Sequence, residues 1–517
     1  MDNNDYIERM KRERELREQM RLERCGQIGW ISVIYAIVFT VCLYENFSGI
    51  TSPIWAVFTA FYLHYAGKKM QGNWSRANTL MNIAIVLFGF SNFFTDNGVM
   101  IFINYVAILG LIIINVIYIF ADTSSLNVTK HLLAMLQGTV GSITMFGEPF
   151  TNIGSLLSKN KKDKNDKTTY VMIGILVAIP IVLVVGTMLA TADSVFSSIL
   201  KEAGKTLAFD NILSNWFGVL FMLVAGYVFP YSYLAYMKKG QICVISNNVK
   251  KAEPIAMIIV SGAVSLLYVL FSLIQIFYLF MRKGTLPTDY TYAEYAREGF
   301  FQLMFVSAFN VLLVLICIEF FRDSKMLKAI LSVVSVCTFI MIASSAYRMG
   351  MYISEYGLTF LRVFVLWALV VIALIMSGLL ITLYVSKFKL FRYGLIVITV
   401  CTLALTYSHM DYFIAKYDLS RHQSFTELQD DNSVSTSVEF YRNIDCRYLM
   451  GLSADAAPAM MQHSDRVFAY MKENEVDLGD AKWAYQEHKE DGEVKNKMTL
   501  RNFNLSRYMA RLGMEKK

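Results

Sequence analysis

The sequence predicts an all-α, polytopic integral membrane protein with about eleven transmembrane helices and a small helical C-terminal extracytoplasmic segment. Three observations predict it. Of 517 residues, 55% are hydrophobic and only 17% are charged, whereas a soluble chain carries about 45–50% and about 25%. The apolar excess is gathered into runs. Val99–Ala121, Tyr170–Ala192, Ile255–Met281 and Phe360–Val385 are each about 20 residues or longer, enough for a helix to cross ~30 Å of hydrocarbon. Finally, the basic residues concentrate in alternate loops between such runs, as cytoplasmic loops do.

Residues 1–27 read as a charged cytoplasmic N-terminal helix. Asp5–Arg9, Glu8–Arg12 and Glu13–Arg17 stand at i,i+4, a spacing that suits a solvated helix. No A-x-A-like site follows Ile28–Tyr44, so this run is expected to be a retained span and not a cleaved signal.

A transmembrane domain is expected over 28–409. Its spans are placed at about 28–44, 50–66, 80–94, 99–121, 169–192, 211–236, 255–281, 298–320, 327–347, 360–386 and 391–409. With the N-terminus inside, the inside segments hold 26 Lys and Arg and the outside loops six. The chain is therefore expected in the cell membrane, N-terminus cytoplasmic and C-terminus extracytoplasmic. Within 131–158, "HLLAMLQGTVGSITMFGEPF" is apolar but broken by Gly138, Gly141, Gly147 and Pro149. A helix on the inner membrane surface is expected there, with a re-entrant hairpin as the alternative. "KNKKDKNDK" follows as a solvated basic run beside anionic headgroups.

Residues 410–517 are expected to form a helical extracytoplasmic tail without strands, packed on the outer mouth. Val438, Tyr441, Ile444 and Tyr448 keep helical spacing. "SADAAP" reads as a helix start with Pro458 in the first turn.

Several function classes lose support here. The net charge of +7 follows the membrane topology, so no nucleic-acid partner is expected. The seven cysteines form no C-x-x-C pair and read as small core hydrophobes. His409 and Asp411 stand two apart, and His422, His463 and His488 follow, scattered along the tail. The four histidines read as surface residues. No GxSxG, HExxH, P-loop or GxGxxG motif stands in a suitable setting. No catalytic, cofactor-binding or metal site is assigned, and no cofactor is expected.

What remains is polar chemistry at the outer helix ends. In "TYAEYAREGFFQLMF", Thr291 and Glu294 form a T-x-x-E capping box. Glu294, Arg297 and Glu298 then stand at headgroup level. In "AYRMGMYISEYGLTFLR", Arg348, Tyr352 and Glu355 share one helix face. Gly357 fits a C′ position and Thr359 an N-cap. Arg362 would lie near a helix N-terminus, where the dipole disfavours a cation. An acidic partner is expected for it, from Glu294, Glu298 or Glu355. With Asp193, these seven residues (Asp193, Glu294, Arg297, Glu298, Arg348, Glu355 and Arg362) form a candidate outer-face polar cluster.

Six stretches carry a resemblance: "ATADSVF", "TYAEYAREGFF", "YISEYGLTFLR", "DYFIAKYDL", "YLMGLSADAAPAM" and "RNFNLSRY". Together, and in this order, they resemble a bacterial family of multi-span membrane proteins called domain of unknown function 4173, related to number 4153. The resemblance covers roughly Tyr170 to Arg507. It implies an architecture and a set of positions, but no reaction. By the charge-derived topology all six stretches fall outside. Three functions are compatible: an envelope component whose outer face and tail bind a partner, a transporter or lipid-handling permease, and a membrane enzyme acting on an extracytoplasmic lipid-linked or polymeric substrate. Expected partners are the lipid bilayer and an envelope protein or lipid-linked substrate.

Overall fold

The structure is a computed structural model. It describes residues 3–123, 126–150, 193, 210–240, 252–277, 299–427, 446–473, 481–485, 488–490, 493–495 and 498–515. Among these residues the chain is helical almost throughout. Nine helices are long and apolar enough to cross a membrane, so the protein is membrane-embedded. The expected span at 169–192 lies outside the described residues.

The chain divides into two compact units. The first comprises residues 1–90, 105–125 and 132–244. It is built from α1 (Asn3–Leu43), α2 (Thr51–Lys69), α6 (Asp210–Lys238), and most of α3 (Arg76–Phe94), α4 (Gly98–Phe120) and α5 (Val128–Ser142). Helix α1 packs between α2 and α6. The 19-residue α2 is not among the nine apolar helices, because His64, Tyr65, Lys68 and Lys69 dilute its second half. Polar side chains inside this unit bond one another, as they must where water is absent. Asn78 Nδ2 reaches Asn115 Oδ1 at 2.7 Å, and Asn115 Nδ2 reaches Asn82 Oδ1 at 2.7 Å.

Helix α5 runs through Gly138 and Gly141 without a break, contrary to the expectation that these glycines interrupt it. They serve close packing instead. A Cβ at Gly141 would stand 2.1 Å from the Tyr236 ring, and one at Gly138 3.2 Å from Tyr233 Oη. The opposite face exposes Leu132, Leu136, Val140 and Ile143.

The second unit comprises 91–104, 126–131 and 245–517. Its helices are α7 (Ile255–Gln275), α8 (Phe300–Phe320), α9 (Lys325–Tyr356), α10 (Phe360–Tyr384) and α11 (Leu390–Tyr407). Helix α9 packs against α7, α8 and α10, around Val314, Leu331, Val334, Met376 and Leu379. It runs nine residues beyond its expected end, passing through Gly350 in helical conformation and stopping at Gly357, whose φ is +78°. Arg348, expected in an outer loop, therefore lies inside the helix.

The tail follows in the same unit as α12 (Met410–Glu427), α13 (Cys446–Met450), α14 (Ala457–Gln462), α15 (Ser464–Glu473) and α16 (Leu505–Glu515). Its core gathers Met410, Ile414, Leu449, Ala454, Ala457, Met460 and the fully buried Trp483. Pro458 occupies the first turn of α14, where its missing N–H costs no helix bond. A wholly helical tail is corrected in one place. Strands β1 (His488–Glu490) and β2 (Glu493–Lys495) form an antiparallel hairpin.

Candidate functional site

The chain joins α3 to α4 through only Thr95, Asp96 and Asn97. A helix end leaves backbone groups without intrahelical partners, and here the tail supplies several. Asn504 caps α16 by accepting the Ser506 amide at 2.9 Å and the Arg507 amide at 3.3 Å. Its Nδ2 donates to the carbonyls of Asn92 at 3.1 Å and Thr95 at 2.9 Å. One buried side chain thus closes the start of α16 and the end of α3. Asn97 acts in the same double fashion. Its Oδ1 accepts the Val99 and Met100 amides at the start of α4, and its Nδ2 donates to Asp411 Oδ2 at 3.0 Å.

Two buried carboxylates complete the clasp. After α11, His409 adopts φ +47°, a left-handed conformation that histidine reaches more readily than most residues. This turn launches α12 and places Asp411 in its first turn. Asp411 Oδ2 accepts the Ser453 amide at 3.0 Å and the Ser453 hydroxyl at 2.6 Å. Asp455, only 5% exposed, accepts the Asp96 amide at 2.8 Å, the Thr95 hydroxyl and the Ser506 hydroxyl. His409 Nδ1 stands 3.8 Å from Asp455 Oδ2. Arg507 Nε donates to Asp96 Oδ1 at 2.6 Å, and its guanidinium lies 5.1 Å from the centre of the Tyr485 ring.

The electrostatics follow from this burial. Desolvation raises the pKa of Asp96, with the Arg507 charge opposing it. Desolvation also raises that of Asp411, against the bonds from Ser453 and Asn97. The Asp455 carboxylate raises the pKa of His409, while partial burial opposes. Three acids and one arginine thus share a small volume, and His409 is placed to add a second positive charge.

The tail also closes the α9–α10 turn. Asp418 accepts the Leu358 amide at 2.7 Å, and Tyr448 Oη accepts the Phe360 amide at 2.7 Å. Gly357 has φ +78°, and a Cβ there would stand 2.6 Å from Asp418 Oδ1.

The sequence-predicted residues are placed as follows. Glu294, Arg297 and Glu298 lie outside the described residues, as does the Thr291 capping box. Asp193 is exposed. Glu355 occupies the last turn of α9. Thr359 holds the N-cap position of α10 without a side-chain cap bond. Arg362 donates to the carbonyls of Tyr356 at 2.9 Å and Gly357 at 2.5 Å. Its guanidinium stacks 4.3 Å from the centre of the Tyr352 ring. The C-terminal carbonyls of α9 and an aromatic face are thus what this cation meets among the described residues; the side chains of Glu294, Glu298 and Glu355, from which an acidic partner is expected, lie outside them. Arg348 is 8% exposed, and its Nη2 lies 3.3 Å from Gln275 Oε1, which also accepts Ser344 Oγ at 2.6 Å.

The clasp residues Asp411, Asp455 and Arg507 stand in three of the stretches that carry the family resemblance. Thr95, Asp96 and Asn97 do not, and sequence reasoning missed them. The available signal was the polar break "TDNG" between two apolar runs, with Asn97 in capping position. His409, expected at the surface, is half-buried and leans on Asp455, and its neighbour Asp411 is buried. Among the described residues no cluster of His, Cys, Asp and Glu could hold a metal ion.

These features define a polytopic helical membrane protein whose C-terminal tail is fastened to its helix ends by buried polar bonds. A family model for a domain of unknown function, DUF4153, matches residues 82–463, and the chain belongs to that family. No curated relative and no solved structure matches it.

Proposed function

We propose that the protein is a cell-envelope component whose membrane helices hold the tail as an extracytoplasmic interaction surface. One observation carries this reading: tail side chains, buried at the α3–α4 turn and half-buried at the α9–α10 turn, satisfy backbone groups there. Such a tail is presented in one fixed pose, which favours specific recognition because less ordering entropy is lost on binding. The loop charge bias of 26 to six supports the extracytoplasmic side. In the clasp the carboxylates are consumed by internal bonds, which favours a structural and recognition role over catalysis by them.

The test is cross-linking of the full chain in native membranes, comparing wild type with the double variant Asp455→Ala/Asn504→Ala. Loss of specific cross-links to another envelope protein, with membrane insertion intact, is expected. Unchanged cross-links from a loosened tail would overturn the reading. Arg348 favours a second reading, a transporter or lipid-handling permease, because a cation buried within a membrane helix is costly and marks functional paths.

A further inference from the structure

We propose that the surface formed by Leu500, Phe503 and the outer face of α16 is a membrane-contact element, seated in the headgroup–acyl boundary of the leaflet at the α3 terminus. Its level is set by α3, one of the nine helices able to cross a membrane. Asn504 is bonded to the carbonyls of Asn92 and Thr95 at that helix's end. The Phe503 ring lies 6.1 Å from the ring of Phe93, in the last turn of α3. The segment is therefore held where hydrocarbon gives way to headgroups.

Its two faces differ. Ala510 is fully buried, and Gly513 lies against Met461 of the tail. The other face is apolar and uncovered. Leu500 is 92% exposed, and Tyr508 and Met509 are exposed beside it. Leu500, Phe503, Tyr508 and Leu512 line a shallow groove with Arg511 and Glu515 at its rim. Aromatic rings prefer the interfacial layer, and arginine extends its charged head from apolar surface toward polar surroundings. An amphipathic helix of this composition suits a lipid surface. This inference stands on the α3 terminus alone, and holds whether or not the tail also takes a protein partner.

The experiment uses the full chain in phosphatidylcholine nanodiscs, with and without lipid brominated near the carbonyl end of the acyl chains. Leu500→Trp and Met509→Trp are measured separately against the unsubstituted chain, whose six tryptophans give the background. Expected is an added, blue-shifted emission that brominated lipid quenches and acrylamide barely reaches. Quenching by acrylamide alone places the face in water and overturns the proposal. Protection from both quenchers shows a protein cover, from a partner or a second copy, and overturns it equally. The second position decides the matter if the first variant fails to fold.

Discussion

Asp455 accepts the Thr95 hydroxyl through one carboxylate oxygen and the Asp96 amide through the other, across 360 residues of sequence. The Asp455 side chain is almost wholly buried. Asp455→Ala leaves the Thr95 and Ser506 hydroxyls and the Asp96 amide without this acceptor. Removing one partner of a buried charged network costs about 3–5 kcal/mol. The variant should melt at lower temperature and lose its tail faster to protease. Asp455→Asn keeps one acceptor oxygen and should fall between the two. Unchanged protease sensitivity in the alanine variant would show that the tail is held elsewhere.

Gly357 should tolerate no side chain. Its φ of +78° with ψ −172° is a region open essentially to glycine alone, and the Asp418 carboxylate occupies the space of a Cβ. Gly357→Ala should destabilise by about 1–3 kcal/mol through strain. Comparing thermal unfolding of wild type and variant checks this. Asp418→Ala in the same background should recover part of the steric loss but not the strain.

The tail should hold more firmly in mild acid than in mild base. The pKa of His409 is raised in the folded state by Asp455. Its contribution is therefore full below the unfolded value of about 6.5, and disappears as pH rises through the folded value. Asp96 and Asp411 are raised by burial. The folded state holds their protons more tightly, so they too cost stability as pH rises, beginning above the unfolded carboxyl value of about 4. All three act in one direction. Protease release of the tail should accelerate between mildly acidic and mildly alkaline pH, and His409→Gln should flatten the upper part of that profile. A tail that loosens on mild acidification would contradict the assignment.

Arg362 should couple to Tyr352. The guanidinium lies 4.3 Å from the ring centre, a geometry worth about 0.5–2 kcal/mol depending on exposure. A double-mutant cycle with Arg362→Ala and Tyr352→Leu should return a coupling energy in that range. Zero coupling would mean that the carbonyls of Tyr356 and Gly357 hold the arginine without help from the ring.

The loop charges predict eleven crossings, N-terminus in and C-terminus out. A reporter active only outside the cytoplasm should work when fused after Lys517. Activity of a cytoplasm-only reporter at that position would refute the topology.

The spans were legible because length and apolarity are local properties. Val99–Ala121 and Phe360–Val385 announce themselves without knowledge of their neighbours. Helix ends were less so. Arg348 reads as a loop residue because a charge normally marks a span's edge. Its burial against Gln275 depends on α7, more than 70 residues away. The clasp was half legible. Asp411, Asp455 and Arg507 lie in stretches that carried the family resemblance. Thr95–Asn97 carry no such mark, since a three-residue turn has neither period nor charge bias to read. Arg362 was rightly seen as a cation poorly placed on its own helix. The described turn adds what the sequence did not offer, the carbonyl end of α9 and a tyrosine face, which only folding brings to it.

The clasp also fixes a schedule for assembly. Ribosomes add roughly 5–20 residues per second, so the 360 residues between Thr95 and Asp455 take roughly 20–70 s to appear. Throughout that interval the α3–α4 turn exists without its acceptor, and Asn504 arrives later still. A Thr-Asp-Asn turn can wait because water serves its hydroxyl, carboxylate and amide while the tail is being made; an apolar turn would be exposed to wrong partners for the same time. Asp455 and Asn504 thus seal the α3–α4 turn as a late step of biogenesis, after helices α3 to α11 have all been made.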